Sequence, residues 1–220
     1  MNTEAQINKL FDLLDDWRNL PAYQLERRAD VFFAIYLPDI LKAKFRVDIE
    51  FIIPEFPVRI GTIYPDLDLK NPNLSFKIDY VAVSNLKKTV YLVELKTDVG
   101  SRRENQDKYL ESSKTINIKG LVDGVLLINK ATSSKRKYAY LLDLLSKIGW
   151  VDNSILQNIS QDYAIEIVYI QPTNLKIEKE EKNNVIITFD DIQRSLSGLD
   201  DGLTQRFLLS LRRWEINPNE

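Results

Sequence analysis

Two apolar runs of eight residues each, Phe76–Val83 and Thr89–Lys96, flank the short polar segment Ser84-Asn85-Leu86-Lys87-Lys88. Both are rich in β-branched and aromatic residues, and the segment between them suits a turn, so the stretch predicts a β-hairpin. With the turn centred between Leu86 and Lys87, residues whose numbers sum to 173 face each other. Asp79 then stands opposite Glu94. Side chains alternate between faces along a strand, so Lys96 shares the face of Glu94. The other residues on that face are Val81, Val83, Val90 and Leu92. Charge among apolar neighbours is unfavourable unless something compensates it. A divalent cation held by the carboxylates is one such partner.

The residue types bound the chemistry further. The chain has 220 residues, 44% of them hydrophobic, enough for one domain with a sizeable core. No apolar run approaches the roughly 18 residues that cross a bilayer, and the amphipathic, acidic N-terminus is unlike a signal peptide. Cysteine is absent, which removes disulfides and thiolate zinc sites and fits a cytoplasmic protein. Histidine is absent too, which excludes Ser-His and Cys-His nucleophile pairs and imidazole-bound zinc. Any metal must be held by oxygen, which favours Mg²⁺, Mn²⁺ or Ca²⁺. The net charge is −2, yet Lys87–Lys137 carries 12 Lys or Arg against 6 Asp or Glu. The basic stretch is the one that contains Glu94 and Lys96.

Taken in order, the periodicity predicts a helix over 4–18 capped by Thr3 and a second over 22–41, bent near Pro38. Glu26 falls on the apolar stripe of the second helix, with Tyr23, Ala29, Phe33 and Leu37. One or two strands are expected within 45–60 and a loop over 64–72. After the hairpin, Asp98-Val99-Gly100 breaks the strand and Ser101 caps a helix over 102–113, where Gln106, Tyr109 and Leu110 share a face. Val122–Ile128 reads as a short buried strand. The basic loop 129–137 leads into an amphipathic helix ending at Gly149. Tyr163–Ile170 and Val185–Phe189 read as strands, separated by a charged linker over 176–184. Two short helices close the chain, with Asp190 or Asp191 and Asp200 or Thr204 as caps. The expected fold is α/β, a mixed central sheet flanked by helices. Residues 1–175 form its core, and 176–220 pack on that core or form a small appendage.

The order Asp79, Glu94-Leu95-Lys96, Gln106 and Tyr109 resembles the PD-(D/E)xK nuclease superfamily, the restriction-endonuclease-like fold. The resemblance covers roughly residues 22–128. Ile78 replaces the usual proline before the aspartate, and the literal Pro-Asp pairs Pro38-Asp39 and Pro65-Asp66 are out of register with Glu94. The resemblance implies that Asp79, Glu94 and the main-chain carbonyl near Leu95 hold Mg²⁺ or Mn²⁺. It implies that Lys96 orients or deprotonates the attacking water, that Gln106 positions water, phosphate or Lys96, and that Glu26 reaches the same site or a second metal.

The implied activity is hydrolysis of phosphodiester bonds, most simply in DNA, in restriction, repair or phage defence, with a homodimer or a partner protein compatible. Arg102, Arg103, Lys130, Lys135, Arg136 and Lys137 are candidates for phosphate contacts. The alternative is a catalytically silent module of the same fold that binds nucleic acid or a protein. No membrane partner is expected.

Overall fold

The computed structural model describes residues 2–67, 69–97, 104–173 and 184–216, with the backbone alone of 104–106. Helices α1 (Thr3–Trp17) and α2 (Glu26–Phe45) come first, then strand β1 (Phe51–Arg59) and the single turn of helix α3 (Ile60–Ile63). The hairpin follows as β2 (Ser75–Ser84) and β3 (Thr89–Leu95), then α4 (Glu104–Ala131) and α5 (Lys135–Ile148). A small two-stranded ribbon of β4 (Val151–Asp152) and β5 (Gln157–Asn158) precedes β6 (Ala164–Gln171), β7 (Val185–Thr188), α6 (Phe189–Leu196) and α7 (Gly202–Trp214). The main sheet has the order β1-β2-β3-β6-β7. Its β1, β2 and β3 are antiparallel, whereas β6 and β7 are parallel. The architecture is therefore α/β with a mixed five-stranded sheet flanked by helices. Among the described residues no helix is long and apolar enough to cross a membrane.

The hairpin register is the expected one. The ladder runs Ser84↔Thr89, Val83↔Val90, Ala82↔Tyr91, Val81↔Leu92 and Tyr80↔Val93, each pair summing to 173. Strand β1 lies at the sheet edge, which explains how it holds both Pro54 and Pro57: an edge strand can spare their missing N–H groups.

Val122–Ile128, which the sequence pattern predicts as a short buried strand, is helix. The second half of α4 buries Ile118, Leu121, Val122, Val125 and Ile128, a 3.6-residue stripe that the density of β-branched residues hides. Asn117 breaks α4, with φ 64° and ψ 177°, and its Oδ1 accepts the N–H of Gly120 at 3.3 Å. Asn117 thus acts as an internal cap. Gly124 lets the helix approach closely: a Cβ there would lie 3.0 Å from Thr62 Oγ1 and 3.2 Å from Arg59 Cβ.

Other boundaries move for local reasons. Helix α2 continues through Pro38 to Phe45 and ends where Arg46 turns left-handed, at φ 57°. Asn2, not Thr3, caps α1, accepting the N–H of Ala5 at 2.8 Å. Thr188 caps α6, with Asp191 as the reciprocal partner of a capping box, and Asp201 caps α7. The expected break at Asp98-Val99-Gly100, the Ser101 cap and all but the last residue of the linker over 176–184 lie outside the described residues.

The chain divides into two compact units. One comprises Met1–Asp48, Glu94–Arg102 and Val168–Glu220; the other comprises Ile49–Val93 and Arg103–Ile167. The first is built on aromatic packing, with Phe33 and Tyr36 each 5.2 Å from the Phe207 ring and Phe11 4.5 Å from Phe32. Asp15 ties α1 to α7. It accepts hydrogen bonds from Arg206 at 2.8 Å, Arg213 at 2.7 Å and the Trp214 indole at 2.8 Å. Burial alone would push the Asp15 carboxyl up, but hydrogen bonds from Arg206, Ser210 and Arg213, with the Arg206 charge, hold it below its ordinary value. The second unit packs α3 and α4 against β1, and α5 against β4.

Two outcomes follow. Because the folded pKa of Asp15 is depressed, its stabilisation is complete above the unfolded value of about 3.9 and fades as pH falls through the folded value. Asp15→Ala should lower stability by about 3 kcal/mol at pH 7. In chemical denaturation series, that deficit should shrink steadily below about pH 4. Gly149 ends α5 at φ 86°, so Gly149→Ala should cost about 1 kcal/mol, measurable as a lower urea midpoint at unchanged slope.

Candidate functional site

The end of β3 carries two buried charges. Glu94 and Lys96 are each 2% exposed, and Leu95 between them is 1% exposed. Lys96 Nζ donates to Glu94 Oε2 at 3.4 Å, long for a hydrogen bond between opposite charges, where about 2.8 Å is usual. Both side chains therefore leave the strand on one face, as the alternation requires. Asp79 directly precedes Tyr80, and Glu94 directly follows Val93, the last pair of the β2–β3 ladder. Asp79 is half-buried.

The neighbouring strand adds polar groups that no local sequence motif marks. Ala164 donates its N–H to Lys88 O at 2.8 Å, and Lys96 donates its N–H to Ile170 O at 2.8 Å. Starts meet and ends meet, so β3 and β6 run parallel. In a parallel ladder a residue bonds to the groups on either side of its partner, which sets Lys96 beside Gln171 and Glu94 beside Tyr169. The same register sets Tyr91 beside Glu166. Burial raises the Tyr91 phenol pKa, and the Glu166 charge raises it further. Gln171 is 1% exposed, Tyr169 is fully buried, and Thr97 is 1% exposed. The only sequence signal for Gln171 was a polar residue ending an apolar strand, just before Pro172.

Glu26 is the first residue of α2 and is half-buried. Gln106 lies in the first turn of α4, but its side chain is outside the described residues, as are Arg102 and Arg103. Tyr109 stacks on Phe76 with ring centroids 4.4 Å apart. Phe76 alternates onto the strand face opposite to that of Asp79. Pro38-Asp39 lies inside α2, and Pro65-Asp66 lies in the turn after α3.

Lys130, Lys135, Arg136 and Lys137 are exposed where α4 meets α5. Lys135 has a local partner there: its ammonium donates to the main-chain carbonyls of Asn129 and Lys130, at the end of α4. Beside this junction is a polar groove of about 550 Å³, lined by Lys70, Asn71, Asn73, Ser75, Thr132 and Tyr138 among others. Burial raises the Tyr138 phenol pKa, and its hydrogen bond with Ser75 opposes that shift.

Among the described residues, no group of three or more Asp, Glu, His or Cys side chains is gathered closely enough to hold a metal ion. Comparisons with protein-family models, with curated proteins and with solved structures find no match to this chain.

A buried pair with so long a contact contributes little net stability, because desolvation of both charges offsets their attraction. Lys96→Met alone should therefore destabilise the protein by about 3 kcal/mol, because the buried Glu94 charge loses this cation. Combined with Glu94→Leu, it should restore wild-type stability or exceed it. Denaturant melts of the two variants beside the wild type check this.

Proposed function

We propose that this protein is a metal-dependent nuclease that hydrolyses phosphodiester bonds in DNA, with Asp79, Glu94 and Lys96 at the centre of its site. The observation that carries the reading is the desolvated Glu94–Lys96 pair at the end of β3, both residues 2% exposed. Charges kept in a core without a stability gain are characteristic of functional sites. The β2–β3 register supports Asp79 as the second carboxylate, and the Asp79, Glu94-Leu95-Lys96 order supports the PD-(D/E)xK likeness.

The donor set fits a hard cation. Asp79 and Glu94 offer carboxylate oxygens, Leu95 offers its main-chain carbonyl, and the chain has neither imidazole nor thiolate. When bound, Mg²⁺ or Mn²⁺ lowers the pKa of water and polarises the phosphate. The remaining work falls to this chain's own residues. Lys96 orients the attacking water through its N–H groups and offsets charge that develops on phosphate. Gln106 is assigned hydrogen bonds to water or phosphate, and Glu26 a supporting carboxylate. Arg102, Arg103 and the basic α4–α5 junction are assigned contacts to phosphates, which set affinity and its salt dependence.

A second reading is a silent module of the same fold that binds nucleic acid without cutting it. The exposed basic residues beside a polar groove favour it.

Cleavage of plasmid and linear DNA with Mg²⁺ or Mn²⁺ separates the two. Asp79→Asn and Lys96→Gln should each lower the rate by about 10²-fold or more, and Glu26→Gln by less, with unchanged circular dichroism. Activity that survives both of the first two substitutions removes this site from consideration. Salt-dependent DNA binding by a wild type that never cleaves in either metal establishes the silent module instead.

A further inference from the structure

We propose that Gln171 is the positioning residue for Lys96, holding its ammonium through one shared water. The inference rests on the nuclease reading only for its kinetic consequence; its structural content stands on the strand register and on burial.

Gln171 Oε1 is fully buried and, among the described residues, accepts no hydrogen bond; the residue as a whole is 1% exposed. A buried carboxamide oxygen without a donor bears an uncompensated desolvation penalty, so native structures rarely tolerate one. Its register neighbour has the complementary excess. Lys96 carries three N–H donors and uses one, in the 3.4 Å contact with Glu94 Oε2. Lys96 and Gln171 are partners on adjacent parallel strands about 4.8 Å apart and leave the sheet on the same face. A polar pair facing across more than direct bonding distance is commonly bridged by one water. Here that water would have three partners: the Lys96 ammonium as donor, and the Gln171 carboxamide and Glu94 carboxylate as acceptors. That number satisfies a buried water.

The consequence is directional. With Glu94 alone as partner, four rotatable bonds leave the Lys96 ammonium several orientations. A second anchor from β6 fixes it. Gln171 thereby acts through Lys96, and it belongs to a strand that the nuclease-like motif does not include.

The test uses full-length protein labelled with ¹⁵N-lysine. The Lys96 ammonium signal is assigned by its disappearance in Lys96→Gln. In the wild type this signal should show slow exchange with solvent. In Gln171→Met, similar in size but without an acceptor, it should shift and exchange several-fold faster. Gln171→Glu, which keeps shape and acceptor, should retain slow exchange. Under saturating Mg²⁺, Gln171→Met should lower kcat about tenfold with KM unchanged. Should Gln171→Met fail to fold, Gln171→Asn, one methylene shorter with the same group, replaces it with the same expected outcome. A Lys96 signal that Gln171→Met or Gln171→Asn leaves unmoved overturns the assignment. A wild type that cleaves no DNA overturns the nuclease reading, while the ammonium spectra still decide the role of Gln171.

Discussion

The antiparallel ladder between Ser75–Ser84 and Thr89–Leu95 governs where every polar residue of the candidate site can be. Its five pairs keep one constant register, so a slip of a single residue would put Asp79 and the Glu94–Lys96 pair on opposite faces of the sheet. The register is held from both sides. Val81, Val83, Val90 and Leu92 are all buried on the Asp79 face, while Tyr80, Ala82, Tyr91 and Val93 are buried on the other.

That apolar setting makes the polar exceptions informative. Glu94, Lys96, Thr97 and Gln171 are all at most 2% exposed. The Glu94–Lys96 contact is too long to repay the desolvation of two charges. The Asp15 cluster offers an internal contrast. There the carboxylate receives three hydrogen bonds at 2.7–2.8 Å from side chains of α7, and it ties that helix to α1. One arrangement is what a structural ion pair looks like in this protein. The other joins two buried charges by a single 3.4 Å contact between the Lys96 ammonium and the Glu94 carboxylate.

The basic residues of the α4–α5 junction show how position separates roles that composition merges. Lys130, Lys135, Arg136 and Lys137 contribute alike to the charge of the segment. Lys135 nonetheless bonds to the last carbonyls of α4, so part of its capacity serves the helix end. Arg136 and Lys137 extend from the first turn of α5, where the helix dipole gives cations no support. Their placement there is a feature that fold stability alone does not favour.

The sequence by itself determined the hairpin, its register, the common face of Glu94 and Lys96, and the oxygen-only donor set. Those follow from local patterns: strand alternation has a fixed period of two, turn residues fix the centre, and absent residue types cannot be supplied by folding. It also located most strands and helices, because their apolar periodicity is local too. Val122–Ile128 escaped because valine and isoleucine density mimics a buried strand when one helix face is deeply packed, and only the 118–128 burial stripe and the Gly124 approach reveal the helix. Tertiary structure alone decided which strand lies beside β3. That neighbour, β6, comes from nearly seventy residues further along the chain, so no local pattern announces that Gln171 stands beside Lys96. The pairing is fixed by which strands can bury both faces at once, a property of the assembled sheet and not of any one stretch.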